Sequence, residues 1–162
     1  MKNFLHSLLY KILRDKFDLR KALIIKQFKR EGLCLDIGCG KKLYKEFFLE
    51  YVGLDINREK GPDILGDFHR LPFKDDVADT VLLFDILEHT TNYGLVLEEA
   101  KRVAKGRIII STLYFKGLSL NLDPEHKHCY SEELLRRALK FHRYKVLDLR
   151  RSKDIIYAIC EK

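Results

Sequence analysis

Four aspartates close apolar runs in this chain: Asp36, Asp55, Asp67 and Asp85. The first belongs to Leu33-Cys34-Leu35-Asp36-Ile37-Gly38-Cys39-Gly40. Leu33, Leu35 and Ile37 are strand formers, and Gly38 and Gly40 mark a turn. Helical spacing follows over Lys41–Glu50, with Leu43, Tyr44, Phe47 and Phe48 on one face. A strand, glycine turn and helix suit a nucleotide-type ligand, because glycine admits close backbone approach and a helix start offers unpaired N–H groups. An ordinary turn after a core strand is the competing reading. A dinucleotide site wants a third small residue, and Leu43 stands there, so NAD is disfavoured. Asp55 ends a second run, Tyr51–Ile56, where a carboxylate can accept from both ribose hydroxyls.

Histidines supply the other chemistry. His89 follows an apolar run ending at Asp85, at the carboxyl edge of a strand, and can serve as a base or simply fix a loop. His126, His128 and Cys129 lie together with Asp123 close by, but no second ligand pair exists elsewhere, so no metal is expected.

These residues need a scaffold. Strands are expected at Leu33–Ile37, Tyr51–Ile56, Asp63–Asp67, Thr80–Phe84 and Arg107–Leu113. Lys145–Leu149 and Asp154–Cys160 read as an antiparallel hairpin. Asn92 caps a helix that Gly106 stops, and Ser131 caps another. Tyr114–Tyr130 reads as an irregular loop. Phe4, Leu5, Leu8, Leu9, Ile12 and Leu13 share one helical face, and Asp18 caps a second helix that Gly32 ends.

The 162 residues suffice for one core. No apolar stretch is long enough to span a bilayer, and the N-terminal run lacks a cleavage site, so a cytoplasmic setting is expected. The four cysteines show no disulfide-framework spacing. Residues 1–30 hold nine of the 31 Lys/Arg and two of the 24 acids, so the whole net charge of +7 resides there. The chain thus divides into a basic helical segment, 1–31, and a neutral body, 32–162. The basic segment is either a helix pair on the sheet or a contact for an anionic membrane surface, nucleic acid or partner.

Five pieces occur in one order: Leu-Asp-Ile-Gly-Cys-Gly, Val-Gly-Leu-Asp-Ile, Gly-Asp-Phe-His-Arg-Leu-Pro-Phe-Lys-Asp, Val-Leu-Leu-Phe-Asp-Ile-Leu-Glu-His and Arg-Ile-Ile-Ile-Ser-Thr. Together they resemble the class I S-adenosylmethionine-dependent methyltransferases of type 11, over about residues 32–160. The family pattern often has a third glycine where this chain has Lys42. The resemblance implies an α/β doubly wound, Rossmann-like sheet of seven strands. It is mostly parallel, with the last strand antiparallel and helices on both faces. It implies S-adenosylmethionine as cofactor. Asp36, Gly38 and Gly40, with Cys39 in the same turn, would hold the methionine part. Asp55 and Ile56 would hold ribose and adenine, Asp67 and Phe68 adenine, and Asp85 would lie near the methionine amine.

The sulfonium methyl is already activated, so alignment and exclusion of water are the main needs. His89 is the foremost base for a hydroxyl or ammonium acceptor, with His126 and His128 in the covering loop behind it. The implied acceptor is a small molecule, lipid or glycan precursor, with anionic character suggested by the basic segment. Nucleic acid is disfavoured: strand four ends in Asp-Ile-Leu-Glu, and the body is neutral. An RNA or protein methyltransferase ranks third. A non-catalytic cofactor-binding or partner-binding module is the alternative of different class.

Overall fold

The computed structural model describes residues 19–114 and 125–162. The helix expected around Phe4–Leu13, the Asp18 cap and Asp123 lie outside them.

One helix, α1, is described over residues 19–28. The strands are β1 (Leu33–Ile37), β2 (Glu50–Asp55), β3 (Ile64–Leu65), β4 (Ala78–Phe84), β5 (Ala104–Leu113), β6 (Lys145–Ser152) and β7 (Ile155–Glu161), with α2 (Tyr93–Val103) and α3 (Glu132–Phe141) between β4, β5 and β6. They form one seven-stranded sheet in the order β3-β2-β1-β4-β5-β7-β6. β1 pairs parallel with β2 and β4, and β4 with β5. β7 runs antiparallel to both β5 and β6, so the last strand is the reversed one.

The period of two assigns each side chain to a face. Leu35, Ile37, Val81, Leu83, Ile108 and Ile110 pack with Val96, Leu97 and Ala100 of α2 and Leu135 and Leu139 of α3. Cys34, Leu82, Phe84 and Ile109 point the other way, to Ile24 and Ile25 of α1 and to Tyr44. Residues 19–28 of the basic segment therefore build part of the core. β4 and β7 are buried on both faces, as their apolar runs require, whereas β6 is an edge with exposed positions.

Two local expectations are overturned. No α-helix follows the glycine turn: residues 41–44 form turns and Lys45–Phe47 a single 3-10 turn. Lys42 is left-handed at φ 55°, which interrupts helical φ/ψ, and β2 already begins at Glu50. The helical spacing there reflects Tyr44, Phe47 and Phe48 packing under α1, while Leu43 stays half exposed. Nor does Gly106 stop α2. The helix ends at Val103, Ala104 turns extended, and Gly106 sits inside β5. A Cβ on Gly106 would lie 2.9 Å from the Asp79 carbonyl oxygen, so close strand packing demands glycine there. The caps at Asn92 and Ser131 are formed, their side chains accepting from Leu95 and Leu134 N–H.

Candidate functional site

The strand order reverses between β1 and β4, so their carboxyl ends open a crevice. A cavity of about 340 Å³ lies there, lined by Asp36, Gly38, Cys39, Gly40 and Asp85, together with Lys21 from α1. Concavities of about 410 and 820 Å³ lie elsewhere, between α2 and Phe141 and among charged residues at the amino edge, away from these groups.

The turn after β1 does not leave its N–H groups open. Gly38 and Cys39 both donate to the Leu54 carbonyl, at 2.8 and 3.0 Å, and Gly40 donates to Asp55 Oδ2 at 2.9 Å. The turn is stitched to β2, and Asp55 is the stitch. Its other oxygen accepts from Asn57 N–H at 2.9 Å. Gly38 has φ 69°, which favours glycine, and a Cβ would also displace the end of the Ile86 side chain, whose Cδ1 lies 2.0 Å away. Lys42 adopts the left-handed conformation that a third glycine would take, and its ammonium holds Asp63 at 2.9 Å.

Asp36 is buried. Tyr51 donates to its Oδ2 at 2.5 Å. Burial pushes the Asp36 carboxyl up to about 7, with the Tyr51 hydrogen bond and the Lys21 charge opposing that rise. Burial likewise raises the Cys39 thiol to about 12, which leaves it unreactive. Asp85, at the end of β4, is left-handed at φ 54°. Ser111 donates to its Oδ1 at 2.8 Å, and the Lys21 ammonium pairs with Oδ2.

Glu88, three residues further, is fully buried. Thr112 donates to its Oε2 at 2.8 Å, while Oε1 has no hydrogen-bond partner among the described residues. Burial and the nearby Asp85 charge raise its carboxyl well above the usual range. Its backbone carbonyl accepts from Lys127 and His128 N–H, at 2.6 and 3.2 Å, which ties residues 127–128 to the turn after β4. The His126 ring lies 4.8 Å from His89.

Asp67 and Phe68 lie on the loop after β3. Asp67 Oδ1 accepts from both His69 N–H and His69 Nδ1, each at 2.8 Å, and these bonds hold the carboxyl below its ordinary value. Ile56 is 66% exposed. Thus Asp36, Gly38, Cys39, Gly40 and Asp85 share one cavity and Asp55 borders it. Ile56, Asp67, Phe68, His89, His126 and His128 do not line it. Among the described residues, no three His, Cys, Asp or Glu side chains are arranged to hold a metal ion.

Sequence reasoning missed Lys21, Tyr51 and His69. Lys21 had a signal: it shares the i, i+3, i+4, i+7 stripe with Ile24, Ile25 and Phe28, where a lysine is out of place. Tyr51 had none, because its pairing with Asp36 depends on strand register.

Residues 35–110 match the family model described as a methyltransferase domain, of type 11. An uncharacterized protein of Methanocaldococcus jannaschii is 35% identical over 102 residues, which are 55% of this chain and 45% of that protein. The match spans less than half of that relative. A crystal structure of an S-adenosylmethionine-dependent methyltransferase from Archaeoglobus fulgidus superimposes with a TM-score of 0.73 at 18% identity, covering 92% of this chain and 94% of that one. So does the Burkholderia thailandensis 1,6-didemethyltoxoflavin-N1-methyltransferase, solved with bound 1,6-didemethyltoxoflavin and S-adenosylhomocysteine, at TM-score 0.73 and 18% identity over 99% of this chain and 86% of that one. At such identities the likeness establishes the fold. Residues 35–110, then, match the type 11 methyltransferase-domain family, and they are carried on a seven-stranded class I sheet.

Proposed function

We propose that the chain is an S-adenosylmethionine-dependent methyltransferase acting on a small, lipid-linked or glycan-precursor acceptor. The observation that carries this is the cavity where β1 and β4 end, which joins a glycine turn to Asp36, Asp85 and Lys21. The donor set fits the cofactor. Asp85 supplies negative charge for a methionine ammonium and Asp36 a buried carboxyl oxygen as acceptor, Lys21 positive charge for its carboxylate, and Asp55 acceptors for a ribose diol.

When bound, S-adenosylmethionine supplies a methyl group already activated for displacement. The chain's own work is to orient it. The Gly38–Gly40 turn is rigidly tied to β2, so it gives a fixed floor. His89, beside His126, accepts a proton from a hydroxyl or ammonium acceptor. The basic stretch 1–30 supports an anionic acceptor or surface. A non-catalytic module is favoured by Lys42 at the third-glycine position, but its glycine-like φ of 55° removes the force of that departure.

Calorimetry tests the cofactor site. S-adenosylmethionine and S-adenosylhomocysteine should bind, and Asp55→Ala should weaken both by roughly 1–3 kcal/mol. Binding of NAD, or of neither sulfur nucleoside, overturns the reading. A metabolite screen with labelled cofactor separates enzyme from binding module and identifies the acceptor.

A further inference from the structure

α1 runs against the direction of the parallel strands. Its first turn meets their carboxyl edge: Arg20 donates to the Ser152 carbonyl at the end of β6, and Lys21 pairs with Asp85 at the end of β4. Just past its last turn, Arg30 N–H donates at 2.8 Å to Thr80 Oγ1, near the start of β4. The helix therefore begins beside the cavity and ends at the far edge of the sheet. Lys21, Ile24 and Ile25 face inward and are buried. Leu19, Leu23 and Lys26, spaced i, i+4 and i+7, form the outward stripe. Leu19 is 62% exposed and Leu23 59%, two leucines one turn apart on a helix whose other face already fills the core.

The opposite rim of the cavity has the same character. Lys41, Leu43 and Lys60 line it, and all three are exposed, Leu43 by 51%. The two rims are tied together under the mouth. Tyr44 packs edge-on against Phe84 at 5.0 Å, and the Lys21 ammonium lies 5.4 Å from the centre of the same Phe84 ring. Lys21 and Lys42 are neutralised by Asp85 and Asp63, but among the described residues no carboxylate pairs with Lys41 or Lys60. Tyr44 and Phe84 are buried, so the mouth presents aliphatic side chains among free ammonium groups and no exposed ring on which a base could stack. Leucine can enter the acyl boundary of a bilayer while lysine reaches its anionic headgroups. A nucleic acid would engage the lysines and leave the leucines wet. The net charge of +7 matches a surface of anionic lipid.

We propose that the rim of the cavity, with Leu19 and Leu23 on one side and Lys41, Leu43 and Lys60 on the other, docks on an anionic lipid bilayer, so that the cavity opens towards the membrane and takes an acceptor carried in it. This deepens the acceptor reading above by selecting its lipid-linked form.

Sedimentation of the full chain with vesicles tests it. Vesicles of phosphatidylcholine mixed with phosphatidylglycerol should carry the parent down, and vesicles of phosphatidylcholine alone should not. Leu19→Ser/Leu23→Ser should weaken binding roughly tenfold or more, with the parent's melting temperature and affinity for S-adenosylhomocysteine retained. Lys41→Gln/Lys60→Gln should weaken it by roughly tenfold or more as well. Equal binding by the leucine variant would mean that charge alone adsorbs the chain, and the proposal fails. It fails too if the parent ignores anionic vesicles, whether the face then binds RNA or a second copy of the chain. The vesicle assay needs neither cofactor nor methyl transfer, and calorimetry with S-adenosylhomocysteine reads the cofactor site separately, so either reading can fail alone.

Discussion

Lys21, on the helix that precedes the sheet, forms an ion pair with Asp85 at the end of β4, the cation 5% exposed and the carboxylate 40%. The same ammonium opposes the upward shift of Asp36 and Glu88. One cation thus offsets three carboxyls around the crevice. Lys21→Met should remove that offset with little loss of packing volume. The variant should melt lower than the parent, and the gap should widen from pH 5 to pH 8, as Asp36 and Glu88 ionise without a counter-charge. Thermal melts across that range would show it; a pH-independent gap would mean that packing alone is at stake.

Asp36 itself gives a signed pH dependence. Burial pushes its carboxyl up to about 7 in the folded chain, against an ordinary 3.8. A raised folded value means that the native state holds a proton the unfolded chain has released. Stability from this group is full below about pH 4 and is lost as pH rises through about 7. Asp36→Asn should abolish that decline, leaving the variant more stable than the parent at pH 8 by about 1–4 kcal/mol. Denaturant titrations at pH 5 and pH 8 would check it.

Lys42 sets conformation against charge. Its φ of 55° costs roughly 1 kcal/mol for a residue with a Cβ. Its pair with Asp63, with side chains 23% and 35% exposed, returns a few tenths to about 1 kcal/mol. Lys42→Gly should therefore be close to neutral, whereas Lys42→Ala keeps the strain, loses the pair and should destabilise. Equal loss in both variants, measured by denaturant unfolding, would contradict this balance.

His89 should behave as a group that acts on the acceptor. His89→Ala should lower methyl transfer by roughly 100-fold or more with S-adenosylmethionine affinity unchanged. Parallel loss of affinity would reduce it to a support for the loop that His126 occupies.

Much of the sheet was legible because buried parallel strands are short apolar runs between turn residues. The runs ending at Asp36, Asp55 and Asp85 were bounded almost to the residue. The glycine turn was legible as a turn, because Gly38 and Gly40 both take the left-handed conformation that glycine permits. What failed was local. The Lys41–Glu50 pattern has helical spacing, but only nine residues separate Gly40 from β2, and packing beneath α1 needs only three aromatic side chains. Periodicity records which residues are buried, not which backbone buries them. The electrostatics of the site were illegible for a different reason. Lys21–Asp85, Tyr51–Asp36 and His69–Thr90 join residues far apart in sequence, through register and crossover that no local pattern encodes.

The packing of α1 has a kinetic consequence. Ile24 and Ile25 share their cluster with Ile155, Tyr157 and Ile159 of β7, and Arg20 donates to the Ser152 carbonyl across 132 residues of chain. During synthesis α1 emerges early, yet its partners in β7 are more than a hundred residues behind it. With strands paired β3-β2-β1-β4-β5-β7-β6, nearly every ladder also awaits a crossover. Such high contact order favours slow folding, and the packing of α1 is completed only when the last strand arrives.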